Sequence, residues 1–167
     1  MHPVFSSSFV PRTLDAGSPV ADADSEVAAC LRQAGTGDAR PALVVCAGGL
    51  AEHAGAYRVH CLCEASALEG GGRAPWLPFA DAAFATILLY RVTRHDVDIE
   101  LLLGEAARVL SPGGRLLVLE HAGDFAFAPL PASGPAHLLH AWLRQAGFAD
   151  ISVTACGDAG LLAEARS

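Results

Sequence analysis

The sequence predicts an α/β fold: a mostly parallel sheet covered by helices, with an antiparallel hairpin at its C-terminal end. Three stretches predict it. From Asp98 to Leu110, residues Ile99, Leu102, Leu103, Ala106, Val109 and Leu110 share one helical face, and Ser111-Pro112-Gly113-Gly114 leads directly into the aliphatic run Leu116–Glu120. With the apolar run Ala85–Tyr90 ahead of that helix, the order is strand, helix, tight turn, strand, a crossover that sets the two strands parallel. The third stretch is the pair Ile151–Ala155 and Leu161–Ala165, divided by the turn residues Gly157 to Gly160, which reads as a hairpin.

In chain order, residues 1–22 are rich in Ser, Pro, Asp and Ala with weak periodicity and read as an N-terminal arm; residues 23–167 read as a single domain. Val27, Cys30, Leu31 and Ala34 give helical spacing from Asp24 to Ala34, and Gly35 stops that helix. Ala42–Cys46 is apolar throughout, as a strand buried on both faces must be, and Tyr57–Cys63 is a second candidate strand. After the crossover, Leu138, Leu139, Trp142 and Leu143 make Ala136–Ala146 helical, with Gly147 as its cap. The Pro- and Gly-rich segment between Gly123 and Pro135 reads as a connection.

Composition narrows the function. A chain of 167 residues that is 52% hydrophobic supports one core, and no apolar run reaches the length of a membrane-spanning helix. A formal charge of −7 argues against nucleic acid and anionic lipid as partners, leaving a small-molecule substrate or a protein. The five cysteines form no CxxC pair or zinc spacing and read as reduced core residues; with no secretory signal pattern at the N-terminus, the expectation is a cytoplasmic protein without a metal. His137 and His140 lie three apart on a helix without a third ligand nearby in sequence, which does not make a metal site.

Three further segments carry a resemblance: Leu77-Pro-Phe-Ala-Asp-Ala-Ala-Phe84, the run Glu105-Ala-Ala-Arg-Val-Leu-Ser-Pro-Gly-Gly-Arg-Leu-Leu-Val-Leu-Glu120, and Leu143-Arg-Gln-Ala-Gly-Phe148. In order and spacing they resemble class I S-adenosylmethionine-dependent methyltransferases of the small-molecule type, over roughly residues 40–167. The resemblance implies a Rossmann-like sheet with helices on both faces, reduced in its N-terminal half, because only 12 residues separate Glu64 from Leu77 and the usual helix and third strand do not fit there. It implies S-adenosylmethionine as cofactor, bound over the loop that holds Gly48 and Gly49, with Glu64 toward the ribose and Trp76 able to stack on an adenine or substrate ring.

The same resemblance exposes departures. No acid precedes Gly48 at the end of the first strand, Arg73 stands where an Asp is common, and Ala85 replaces another. Each missing charge-assisted hydrogen bond is worth about 1.5–3 kcal/mol if buried, so an eroded cofactor site, or loss of the cofactor, is part of the expectation. His95, in the loop after Tyr90, is the first candidate for a catalytic base; a solvated histidine beside Asp96 is the plainer alternative. Glu120 and His121 at the next strand end either face a substrate or satisfy strand-end backbone. The alternative from another class is an inactive interaction or scaffold module, similar to the N-terminal domain of anamorsin, which supports iron–sulfur protein assembly.

Overall fold

The computed structural model describes residues 19–33, 35, 42–46, 57–62, 76–94, 97–127, 131–156 and 160–167. In chain order the elements are α1 (Pro19–Gln33), β1 (Ala42–Cys46), β2 (Tyr57–Cys61), β3 (Phe84–Tyr90), α2 (Ile99–Val109), β4 (Leu110–His121), α3 (Pro135–Gln145), β5 (Ala149–Cys156) and β6 (Gly160–Arg166). The six strands form one sheet in the order β2-β1-β3-β4-β6-β5. β2, β1, β3 and β4 run parallel, while β6 pairs antiparallel with both β4 and β5. The crossover register Ile87↔Leu116, Leu88↔Leu117 and Leu89↔Val118 confirms the parallel pairing that the helix and its flanking strands predict.

Every residue of β1 is buried, which explains its lack of polar alternation. Alternate side chains of β1, β3 and β4 feed two cores on opposite faces of the sheet. On one face Leu43, Val45, Ile87, Leu89, Leu116 and Val118 meet α2 and α3 residues such as Leu102, Leu103, Leu139 and Leu143. On the other, Val44, Leu88, Tyr90, Leu117 and Leu119 meet Val27, Cys30 and Leu31 of α1. Burying these residues on both faces supplies the main driving force for the fold.

Four boundaries differ from the sequence reading. Helix α1 begins at Pro19 rather than Asp24, so it takes in the last residues of the predicted arm; proline suits the first helical position, where its missing N–H would have no partner anyway. β2 closes at Cys61, and Leu62 turns out of the strand while its N–H still reaches the Cys46 carbonyl at 2.8 Å. The Ser111–Gly114 turn belongs to the irregular start of β4: the helix already ends at Val109, and Leu110 is extended and pairs with Phe84 before a register shift. Finally, Ala122–Phe127, which runs into the predicted connection at Gly123, forms a 3-10 turn.

Candidate active site

In the order β2-β1-β3, the chain passes from β1 to one neighbour and then returns to the other, which makes the carboxyl ends of β1 and β3 a switch point, the position where open α/β sheets hold their ligand crevice. Around it stand Tyr90 and the turn Val92–Arg94 after β3, His121 and the turn Ala122–Phe127 after β4, and Glu26 from α1. Three polar networks fix these ends.

The first centres on Glu120, which is 0% exposed on the α2/α3 face. Its Oε1 accepts hydrogen bonds from the N–H groups of Val92 (2.8 Å) and Thr93 (3.1 Å), and its Oε2 accepts from Thr93 Oγ1 at 2.6 Å. Burial pushes its carboxyl up to about 7, opposed by those hydrogen bonds from Thr93 and Val92 and assisted by the nearby charge of Asp124. A side chain from β4 thereby holds the turn that leaves β3.

The second network runs the other way. Arg91, in the left-handed region at φ +52°, places its guanidinium on Asp124 through a two-pronged contact of 2.8 and 2.7 Å. Burial opposes the charge on Asp124, but hydrogen bonds from Arg91 and from the His121 N–H, with the guanidinium charge, hold its carboxyl below the usual range. A non-glycine residue at positive φ is strained; here the fork and the Arg91 N–H bond to the Leu119 carbonyl (2.8 Å) hold it in place.

The third network lies on the α1 face. Glu26 accepts a hydrogen bond from Tyr90 Oη at 2.9 Å, and its other oxygen lies 2.9 Å from His121 Nε2. Burial, then the contact with Glu26, pushes the Tyr90 phenol well above its ordinary range, so it stays a donor. The Glu26 and His121 side chains are about one third exposed, at 31% and 33%.

The motif Leu77–Phe84 is anchored from below this crevice. Arg108 of α2 donates to the carbonyls of Leu77 (3.0 Å) and Phe79 (2.9 Å) and to Asp81 (2.7 Å), while Glu105 accepts from the Leu77 N–H at 3.0 Å. The contact with Arg108 holds the Glu105 carboxyl below the usual range. The Glu105 and Arg108 of the longer motif thus serve to clamp the shorter one.

Of the residues singled out in the sequence, Gly48, Gly49, Glu64 and His95 lie outside the described residues. Trp76 is 64% exposed, so its indole is not packed into the core. Glu120 is buried and satisfies backbone N–H groups of the turn after β3, whereas His121 is partly exposed on the α1 face. Among the described residues no group of His, Cys, Asp and Glu could hold a metal ion. Sequence reasoning passed over Glu26, Arg91, Thr93 and Asp124, whose side-chain partners stand between 27 and 95 positions away.

A family model described as a methyltransferase domain matches residues 21–118, well over half of the chain. Demethylmenaquinone methyltransferases of Thermus thermophilus and Tropheryma whipplei are 52% and 50% identical to it over 44 residues. That match covers 26% of this chain and spans only about a fifth of the relatives' own length. Among solved structures, a SAM-dependent methyltransferase of Aquifex aeolicus aligns at a TM-score of 0.55 and 12% identity, over 83% of this chain and 88% of its own. One from Thermotoga maritima aligns at 0.55 and 16%, over 86% and 87%. A phosphoethanolamine N-methyltransferase of Haemonchus contortus, in complex with S-adenosyl-L-methionine, aligns at 0.50 and 16%, over 78% of this chain and 38% of its own. With the sheet order and the family match in agreement, this chain belongs to the methyltransferase-domain family of class I S-adenosylmethionine-dependent methyltransferases.

Proposed function

We propose that the chain transfers a methyl group from S-adenosylmethionine to a small-molecule acceptor in the crevice beyond β1 and β3. When bound, S-adenosylmethionine supplies an electrophilic methyl group on a cationic sulfonium. Asp124 neutralises Arg91 at these strand ends, the exposed Arg94 closes the same turn, and Glu26 stands partly exposed on the α1 side. The net charge of −7 favours the approach of a cation.

Gly48 and Gly49 give the β1 loop backbone that can approach a ligand closely. In this reading Glu64 accepts from the ribose hydroxyls, and the exposed Trp76 stacks on a ring. His95 follows β3 in sequence and is the alternative candidate for a base. Methyl transfer draws heavily on alignment, so the firm placement of the two turns is the residues' main contribution to rate. The observation that carries this reading is their reciprocal pinning, Glu120 on Thr93 and Arg91 on Asp124, beside the switch point of a family-matched chain.

Calorimetric titration with S-adenosylhomocysteine tests it. The expected result is saturable binding, weakened about a thousandfold or more by three missing acids at about 1.5–3 kcal/mol each. No heat and no thermal shift at millimolar ligand would remove the enzyme reading and leave the chain as an interaction module on a methyltransferase fold.

A further inference from the structure

We infer that His121, oriented by Glu26, is the group that takes the acceptor's proton during methyl transfer. This rests on the function proposed above and adds a residue to it. Glu26 accepts from the Tyr90 hydroxyl, so it serves as the hydrogen-bond acceptor of the cluster. The 2.9 Å contact between Glu26 Oε1 and His121 Nε2 then requires the imidazole hydrogen on Nε2. In a neutral ring that leaves Nδ1 bare and able to accept a proton, and the described residues give Nδ1 no partner.

The ring is held at both ends of its residue. Glu26 fixes one ring nitrogen, and the His121 N–H donates to Asp124 at 3.0 Å. Tyr90 in turn fixes the carboxylate that fixes the ring. A carboxylate that orients an imidazole, itself oriented by a third group, is the arrangement that general-base catalysis requires. His121 closes β4, the strand beside β3, and one third of its side chain is open to solvent.

In the step itself, the acceptor's lone pair forms the bond to the methyl carbon, and the electron pair of the broken carbon–sulfur bond stays on sulfur. The proton of the acceptor's O–H or N–H passes to Nδ1 of His121 and leaves from there to water. The charged and titratable groups around the ring are Glu26 from α1, Tyr90 and Arg91 at the end of β3, and Asp124 after β4. Among the described residues, Cys30 of α1, Tyr57 of β2, Cys156 of β5 and Glu164 of β6 also lie on that face.

The test has two arms. In ¹⁵N-edited imidazole spectra of the full chain without ligand, His121 is expected as the Nε2–H tautomer, shifting on Glu26→Gln; an Nδ1–H tautomer overturns the inference. In the second arm, His121→Gln, which can still donate to Glu26 but cannot accept a proton, is compared with the unmodified chain, using catechol and 2-phenylethylamine as acceptor probes. The expectation is a kcat lower by about a hundredfold or more, an S-adenosylhomocysteine affinity within twofold, and loss of the acidic limb of the rate–pH profile. Turnover within threefold of the unmodified chain, or the same loss in His95→Gln instead, overturns it. If the probes are not turned over, the tautomer alone decides. Failure of the unmodified chain to bind S-adenosylhomocysteine removes the proposed function and this inference together, whereas binding with an undiminished His121→Gln rate removes only this inference.

Discussion

Replacing Glu120 by Gln should make the protein more stable at pH 8 while leaving it nearly unchanged at pH 4.5. The side chain is fully buried, and its carboxyl is pushed from an ordinary 4.5 up to about 7. The folded chain therefore holds this proton more tightly than the unfolded chain does. The resulting stability is complete below pH 4.5 and is lost as the pH rises through about 7. Each pH unit of separation corresponds to about 1.4 kcal/mol, so the whole loss is on the order of 3 kcal/mol. The amide introduced by Glu120→Gln would mimic the protonated acid: its carbonyl can accept from Val92 and Thr93, and its NH₂ can donate to Thr93 Oγ1. Urea melts followed by circular dichroism at pH 4.5, 6 and 8 measure the difference directly. The substituted chain should gain about 3 kcal/mol over the natural one by pH 8, or roughly 6–12 °C in midpoint for a chain of this size. Parallel pH profiles for the two chains, or a natural chain that strengthens from pH 5 to 8 relative to the variant, would refute the assignment of a buried, proton-holding carboxyl at this site.

Two other substitutions probe the frame. Asp124→Asn removes the charged half of the Arg91 fork; with the guanidinium partly solvated, the expected cost is about 1–2 kcal/mol in chemical denaturation. A variant as stable as the parent would show that the fork does not hold the strained Arg91. Gly114→Ala places a Cβ 2.6 Å from the Ser111 carbonyl oxygen and 2.8 Å from Leu110 Cγ, a clash that backbone cannot relieve cheaply. Its midpoint should fall by an amount corresponding to about 1–3 kcal/mol, and an unchanged midpoint would contradict the tight start of β4.

The order of the elements was legible because it is written locally. The heptad-like face from Ile99 to Val109, the unbroken apolar β1 and the hairpin turn each declare their state within a dozen residues. Boundaries blurred where two local rules compete. Proline at position 19 reads as a breaker in isolation and as a helix start in context. The Ser111–Gly114 run reads as a turn, yet Leu110 already pairs as strand beside Phe84. The polar networks were not legible, because periodicity says nothing about a contact such as Glu26 to His121, 95 residues apart. Glu120 offered the one usable signal: a lone acid closing a run of buried aliphatics needs donors, and Val92 and Thr93 at the neighbouring strand end supply them.

The sheet order carries a mechanical corollary. β1 and β2 reach the other four strands through a single seam, the ladder of four paired residues from Leu43↔Ile87 to Cys46↔Tyr90. A molecule lying over the tops of β1 and β3 would straddle that seam and act as a rivet between the two parts of the sheet. Occupancy and resistance to unfolding are then thermodynamically linked.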